Sequence, residues 1–138
     1  MRATPRHPAS GLAVAAVVLA TLAACATPAS DARTLQLKTL NDSGVTGTVT
    51  LGSVDAGTTR VQVEVDPAGH PNMPAHIHPG TCDDLTPQPQ FPLQNVADGH
   101  STTDLLVPLD DLVDGEVALN LHASNDEMET YTACVELR

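Results

Sequence analysis

"VTGTVTLGSVDAGTTRVQVEV", Val45–Val65, reads as two strands around a turn. Side chains in a strand alternate with period two. Val49 and Leu51 therefore share one face, and Val61, Val63 and Val65 share another, with polar residues between them. "DAGT", Asp55–Thr58, is the hairpin turn that joins the two runs. The same grammar recurs on both sides. "RTLQLK" (Arg33–Lys38) alternates Leu35 and Leu37, "NDSG" (Asn41–Gly44) is a turn, and "DPAGHPN" (Asp66–Asn72) is a loop. "PAHIH" (Pro74–His78) is a short strand, followed by the proline-rich loop "TPQPQFP" (Thr86–Pro92). "STTDLLVPL" (Ser101–Leu109), "EVALNLHA" (Glu116–Ala123) and "YTACVEL" (Tyr131–Leu137) complete the set. "DDLVDG" (Asp110–Gly115) is expected as a tight connection between the first two of these. Helix signals are nearly absent. About eight short strands with frequent turns predict an all-β sandwich or barrel.

The chain has 138 residues, enough for one domain with a modest core. Its start has a different character. "MRATPRHPAS" carries Arg2 and Arg6, and "GLAVAAVVLATLAA" follows as an unbroken apolar run. That order is the positive and apolar regions of an export signal, with no stop-transfer pattern after it. The run ends in "LAAC", Leu22–Cys25, which resembles the lipobox of bacterial lipoproteins, where the cysteine carries the lipid. The alternative is an ordinary signal cut at a nearby small residue. The expected organisation is a signal over 1–24, a Pro/Ala/Ser tether over 25–32, and the β domain over 33–138. The expected location is the outer side of the cytoplasmic membrane or elsewhere in the cell envelope, with a membrane anchor at Cys25.

The formal net charge is −11. Loss of Arg2 and Arg6 with the signal would make the remainder more negative still. A nucleic-acid partner is excluded on charge, since phosphate binding needs a basic patch. Three cysteines are present. With Cys25 set aside as lipid-bearing, Cys82 and Cys134 remain in an exported chain, where disulfides persist. A bridge between them would staple a core that contains one phenylalanine and one tyrosine.

Strand alternation also places the histidines. In "EVALNLHA", Val117, Leu119 and Leu121 form the apolar row and His122 lies opposite, with Asn120. In "PAHIH", Ala75 and Ile77 point one way and His76 and His78 the other. All three imidazoles are thus on the outer faces of their strands, as in a site built outside a barrel and under loops. His70 and Met73 are nearby candidates, Met73 because its thioether is a soft donor. His100 is expected to face solvent, and Asp83 and Asp84 to form a turn.

"HIHPGTC", "LNLHAS" and "TACVEL" resemble, in order and spacing, three segments of Cu/Zn superoxide dismutase. The likeness runs from about Gly47 to the C-terminus. "PLQNVADGHSTTDLLVPLDDLVDG" is similar to that family's segment between the zinc loop and the late copper-ligand strand. The resemblance implies a Greek-key β-sandwich, copper held by His76, His78 and His122, and a Cys82–Cys134 disulfide. It implies superoxide as a small-molecule substrate. Departures point the other way. No histidine lies between Cys82 and Asn95, so the histidine that bridges copper to zinc is missing and zinc is not expected. Tyr131 stands at the place of the family's catalytic arginine. The lysine-bearing loop is reduced to "ASNDEMET", with Asp126, Glu127 and Glu129. The alternative function is therefore a non-catalytic copper-binding or structural lipoprotein. Cupredoxin, cupin and metallo-β-lactamase patterns fail on spacing: Cys134 has no ligands after it, "PGTCDD" lacks the cupin glutamate, and "HIHPGT" lacks the hydrolase's H-x-H-x-D-H.

Overall fold

A computed structural model of the chain describes residues 31–138. The expected export signal, Cys25 and nearly all of the tether lie outside the described residues. Twelve strand segments and one short helix follow in order. They are β1 (Arg33–Gln36), β2 (Lys38–Thr39), β3 (Thr46–Asp55), β4 (Thr58–Asp66), β5 (Asn72–Met73), β6 (Ala75–Thr81) and β7 (Asp84–Leu85). Then come β8 (Phe91–Pro92), β9 (Val96–Ala97), β10 (His100–Leu105), α1 (Leu109–Asp114), β11 (Val117–His122) and β12 (Tyr131–Glu136). The all-β expectation holds. Among the described residues no helix is long and apolar enough to cross a membrane.

Two antiparallel sheets face each other. One runs β1-β3-β4-β10-β9-β5 and the other β2-β12-β11-β6-β7, with β8 also paired to β6. The chain leaves β4 for β6 in the second sheet, returns to β10 beside β4, and crosses again to β11 beside β6. This interleaving is of Greek-key type. It lays β6, β11 and β12 side by side, although about 40 residues separate the first two in sequence.

The core lies between the sheets and follows the alternation. Val49, Leu51, Val61 and Val63 on one side meet Ile77, Leu119 and Leu121 on the other. Burying each such side chain contributes roughly 1.5–3 kcal/mol. Phe91 only packs against the edge of this cluster, so the core is aliphatic.

Two segments differ from expectation. "RTLQLK" is not one strand. Its residues split between β1 in the first sheet and β2 in the second, and Leu37 turns inward at the hand-over, its N–H donating to the Gly47 carbonyl at 2.9 Å. "DDLVDG" is not a tight connection but most of α1. Leu109, Leu112 and Val113 are buried there at helical spacing, while Asp110 and Asp111 occupy the first turn, where the helix dipole favours acids. The apolar triplet was readable, but it sits inside a run of acids that resembles a turn.

The turn after β6 is set by Gly80. Its φ is +110°, and a Cβ there would lie 2.1 Å from the Asp84 carbonyl oxygen. Only glycine permits this close approach. The turn that follows carries Cys82, which is bonded to Cys134 on β12, 52 residues away in sequence. Asp83 belongs to this turn, as expected, whereas Asp84 begins β7 and pairs with Thr81. On the chain-entropy account such a closed loop is worth about 4 kcal/mol. Replacing Cys82 and Cys134 together with alanine should therefore lower stability by about that amount, seen as a fall in the urea midpoint. An unchanged midpoint would show that the bridge contributes nothing to the fold.

Candidate metal centre

The outer face of the β6–β11–β12 strip carries the site. Register places His76 opposite Asn120 and His78 opposite Ala118. The small side chain at Ala118 leaves room for the His78 ring. The β11–β12 register then shifts between Leu121 and His122, so that His122 pairs with Tyr131 and Thr132 is bulged. A bulge re-aims the side chains around it. Thr132 stabilises this one by donating to the Leu121 carbonyl at 3.2 Å, and the His122 and Tyr131 rings come to 5.1 Å.

His76, His78 and His122 converge, each offering a ring nitrogen within 4.8 Å of the others. His78 and His122 are only 3% exposed, although they face away from the core. Two loops cover them. The first, between β6 and β8, is pinned by Thr86 N–H to the Pro79 carbonyl at 2.9 Å and Gln90 N–H to the Ile77 carbonyl at 2.8 Å. The second, between β11 and β12, is closed by Ala123 N–H to the Thr130 carbonyl at 2.9 Å.

Each loop also lends a carbonyl to a histidine. His78 Nδ1–H donates to Thr86 O at 2.7 Å, and His122 Nδ1–H donates to Met128 O. A carbonyl can only accept, so both rings carry their proton on Nδ1 and present a bare Nε2 to the interior. The His78 Nε2 is buried and has no hydrogen-bond partner. The His122 Nε2 accepts from His76 Nδ1–H at 3.0 Å. A buried lone pair without a partner is costly. One unpartnered imidazole nitrogen beside two that are paired only with each other, with backbone carbonyls behind two of the three rings, is an arrangement in which histidines can hold a metal ion. Two imidazoles on one ion at about 2.0–2.1 Å stand roughly 3–4 Å apart, so only a small inward movement is needed. His76 would move its proton from Nδ1 to Nε2, and no net proton need be lost. The three histidines can thus hold a metal ion.

Burial is the main cause that lowers the His76 pKa, helped by the neighbouring His78. Burial also dominates at His122, whose pKa is lowered although the bond to Met128 opposes the change; His76 and His78 add to the lowering. Both rings are thereby kept neutral, the form a metal requires.

A pocket of about 550 Å³ opens over the trio, lined also by Pro87, Pro89, Met128, Glu129 and Tyr131. Of the residues singled out in the sequence, His76, His78 and His122 are brought together and Cys82 is bonded to Cys134. Met73 is not brought to the site. It is fully buried in the core, on β5 of the opposite sheet from Ala75 and Ile77, with its sulfur 3.5 Å from Thr132 Oγ1. His70 lies in the loop after β4, and His100 is exposed on β10 opposite Glu64. Neither joins the cluster. Glu129, on the segment read as an acidic loop, lines the pocket, and Tyr131, at the start of β12, lies beside His122. The residues that sequence reasoning missed are Thr86 and Met128. Both act through backbone carbonyls, which no motif records. Asn120, between His76 and Cys134 on the sheet, is fully buried with both amide atoms unpartnered.

Comparison with protein-family models, with curated proteins and with solved structures found no significant match to this chain.

The lowered pKa values carry a sign for stability. Below about pH 6.5, where an ordinary imidazole titrates, the unfolded chain takes up protons that folded His76 and His122 refuse. Metal-free protein should therefore lose stability as pH falls below that value and keep it above. Urea midpoints between pH 5.5 and 7.5 should rise with pH, and His76→Gln should flatten the slope. A midpoint that rises on acidification would contradict the burial described here.

Proposed function

We propose that this chain is a copper-binding domain, related in type to Cu/Zn superoxide dismutase and held at the cell envelope by a lipid on Cys25. The observation that carries the copper reading is the inward-facing nitrogen set of His76 Nδ1, His78 Nε2 and His122 Nε2. An all-imidazole site binds first-row divalent ions most tightly when the ion is copper. The segments "HIHPGTC", "LNLHAS" and "TACVEL" support the family resemblance, and they supply the three histidines and one disulfide. The signal-like start and "LAAC" support the anchor.

Binding without turnover is the reading we favour. Glu129 at the rim repels an anionic substrate instead of focusing it. Tyr131, at the place of the family's arginine, offers no positive charge. A second reading, slow superoxide dismutation, has one observation in its favour: the pocket leaves the ion a solvent-facing position for a small ligand. Bound copper would supply the one-electron chemistry of that reaction. The chain's own part would be to hold three neutral imidazoles and admit the substrate through the pocket above them.

Copper titration of the protein should show one equivalent bound. His76→Ala, His78→Ala and His122→Ala should each weaken it by more than about tenfold, or 1.4 kcal/mol, while His100→Ala should leave it unchanged. Equal affinity in His122→Ala would refute the site, and tighter binding of zinc than of copper would refute the metal. A superoxide assay on the copper-loaded protein separates the binder from the enzyme. Separately, Cys25→Ser should release the protein from the membrane fraction; retention of this variant would refute the lipid anchor.

A further inference from the structure

Met128 is one of three exposed large apolar residues among those described, with Val54 and Leu106. Scattered surface apolar residues are ordinary and need no explanation. Met128 differs from the other two in its place. Met128 lines the pocket over His76, His78 and His122, whereas Val54 and Leu106 do not reach it. It sits at 38% exposure in a loop otherwise made of polar and acidic residues. The backbone of that loop is turned tightly, with Glu127 N–H donating to Ser124 O at 3.2 Å and Thr130 N–H to Glu127 O at 3.1 Å. The Met128 carbonyl accepts the Nδ1–H of His122, which ties this residue's backbone to a candidate ligand.

We propose that Met128 supplies a fourth, sulfur donor to this centre and so makes it selective for Cu(I). The inference rests on the copper reading above and adds the oxidation state that the site prefers. A thioether is a soft, neutral donor suited to Cu(I), and methionine's unbranched chain can swing over an ion held by the three rings. The other polar groups on the pocket wall, the Glu129 carboxylate and the Tyr131 phenol, are hard oxygen donors better matched to Cu(II) or zinc. Three imidazoles and a thioether leave Cu(I) with a single positive charge, which the rim carboxylate of Glu129 offsets at a distance. The soft donor expected at Met73 is thus provided from another segment, six residues after His122.

The test is Met128→Leu in the full chain, a near-isosteric change that keeps the carbonyl for His122. X-ray absorption of the parent loaded with one equivalent of copper and reduced with ascorbate should show one sulfur scatterer, and Met128→Leu should lose it. Competition with a bathocuproine chelator should show Cu(I) affinity falling about tenfold or more, with Cu(II) affinity changed less than about twofold. Met73→Leu should retain the sulfur signal. Absence of sulfur in the cuprous parent, equal Cu(I) affinity in Met128→Leu, or loss of the signal in Met73→Leu would overturn the proposal. In those three cases copper held by the three histidines would leave the function proposed above standing. A parent that binds no copper in either state would overturn both.

Discussion

The bond between Cys82 and Cys134 is the constraint on which the site depends. Cys82 lies in the turn that ends β6, and Cys134 lies in the middle of β12. The bond therefore fixes the start of one covering loop to the strand that begins where the other covering loop ends. Thr86, four residues past Cys82, can then keep its carbonyl on His78. Gly80 makes the same turn possible from the backbone side, since any side chain there would collide with Asp84. A core of aliphatic residues with one edge phenylalanine gives little rigidity to spare, so a covalent tie at this point does what a larger aromatic core would do elsewhere.

The pocket is built by division of labour. The sheet supplies direction, because strand alternation and one bulge bring three imidazoles to one place. The loops supply chemistry, because their carbonyls choose which nitrogen of His78 and His122 is bare. Neither alone makes a site. Rings on an open sheet face would titrate and rotate freely, and loops without the strands behind them would have nothing to hold. Burial of the rings under the loops adds the electrostatic part by keeping His76 and His122 neutral.

Much of this was legible in the sequence because it follows from period-two alternation. The hairpin of β3 and β4, the inward row of Val117, Leu119 and Leu121, and the outward set of histidines all come from that rule. What was not legible depends on choices between elements. The split of "RTLQLK" between sheets is decided by which neighbour each short piece meets, and that is a tertiary matter. The helix at Leu109–Asp114 competes with a turn of the same composition and wins by burying three apolar side chains. The Met73 expectation failed because the chain changes sheets between Met73 and Ala75: Met73 pairs with Val96 in the first sheet and is buried in the core, away from the histidines of the second. Thr86 and Met128 contribute carbonyls, and a carbonyl has no letter in the sequence.

Tyr131 is the one tyrosine of a chain that contains no tryptophan. Its ring lies 5.1 Å from that of His122, inside the pocket wall. The protein consequently has a single residue that emits at the phenol wavelength, placed beside the one cluster whose state is of interest. Light emitted near the phenol wavelength comes from no other residue. An open-shell ion at the histidines would quench that emission, and a closed-shell ion would leave most of it. The optical poverty of the sequence makes the molecule its own reporter of what sits among its histidines, and in which electronic state, with no label attached.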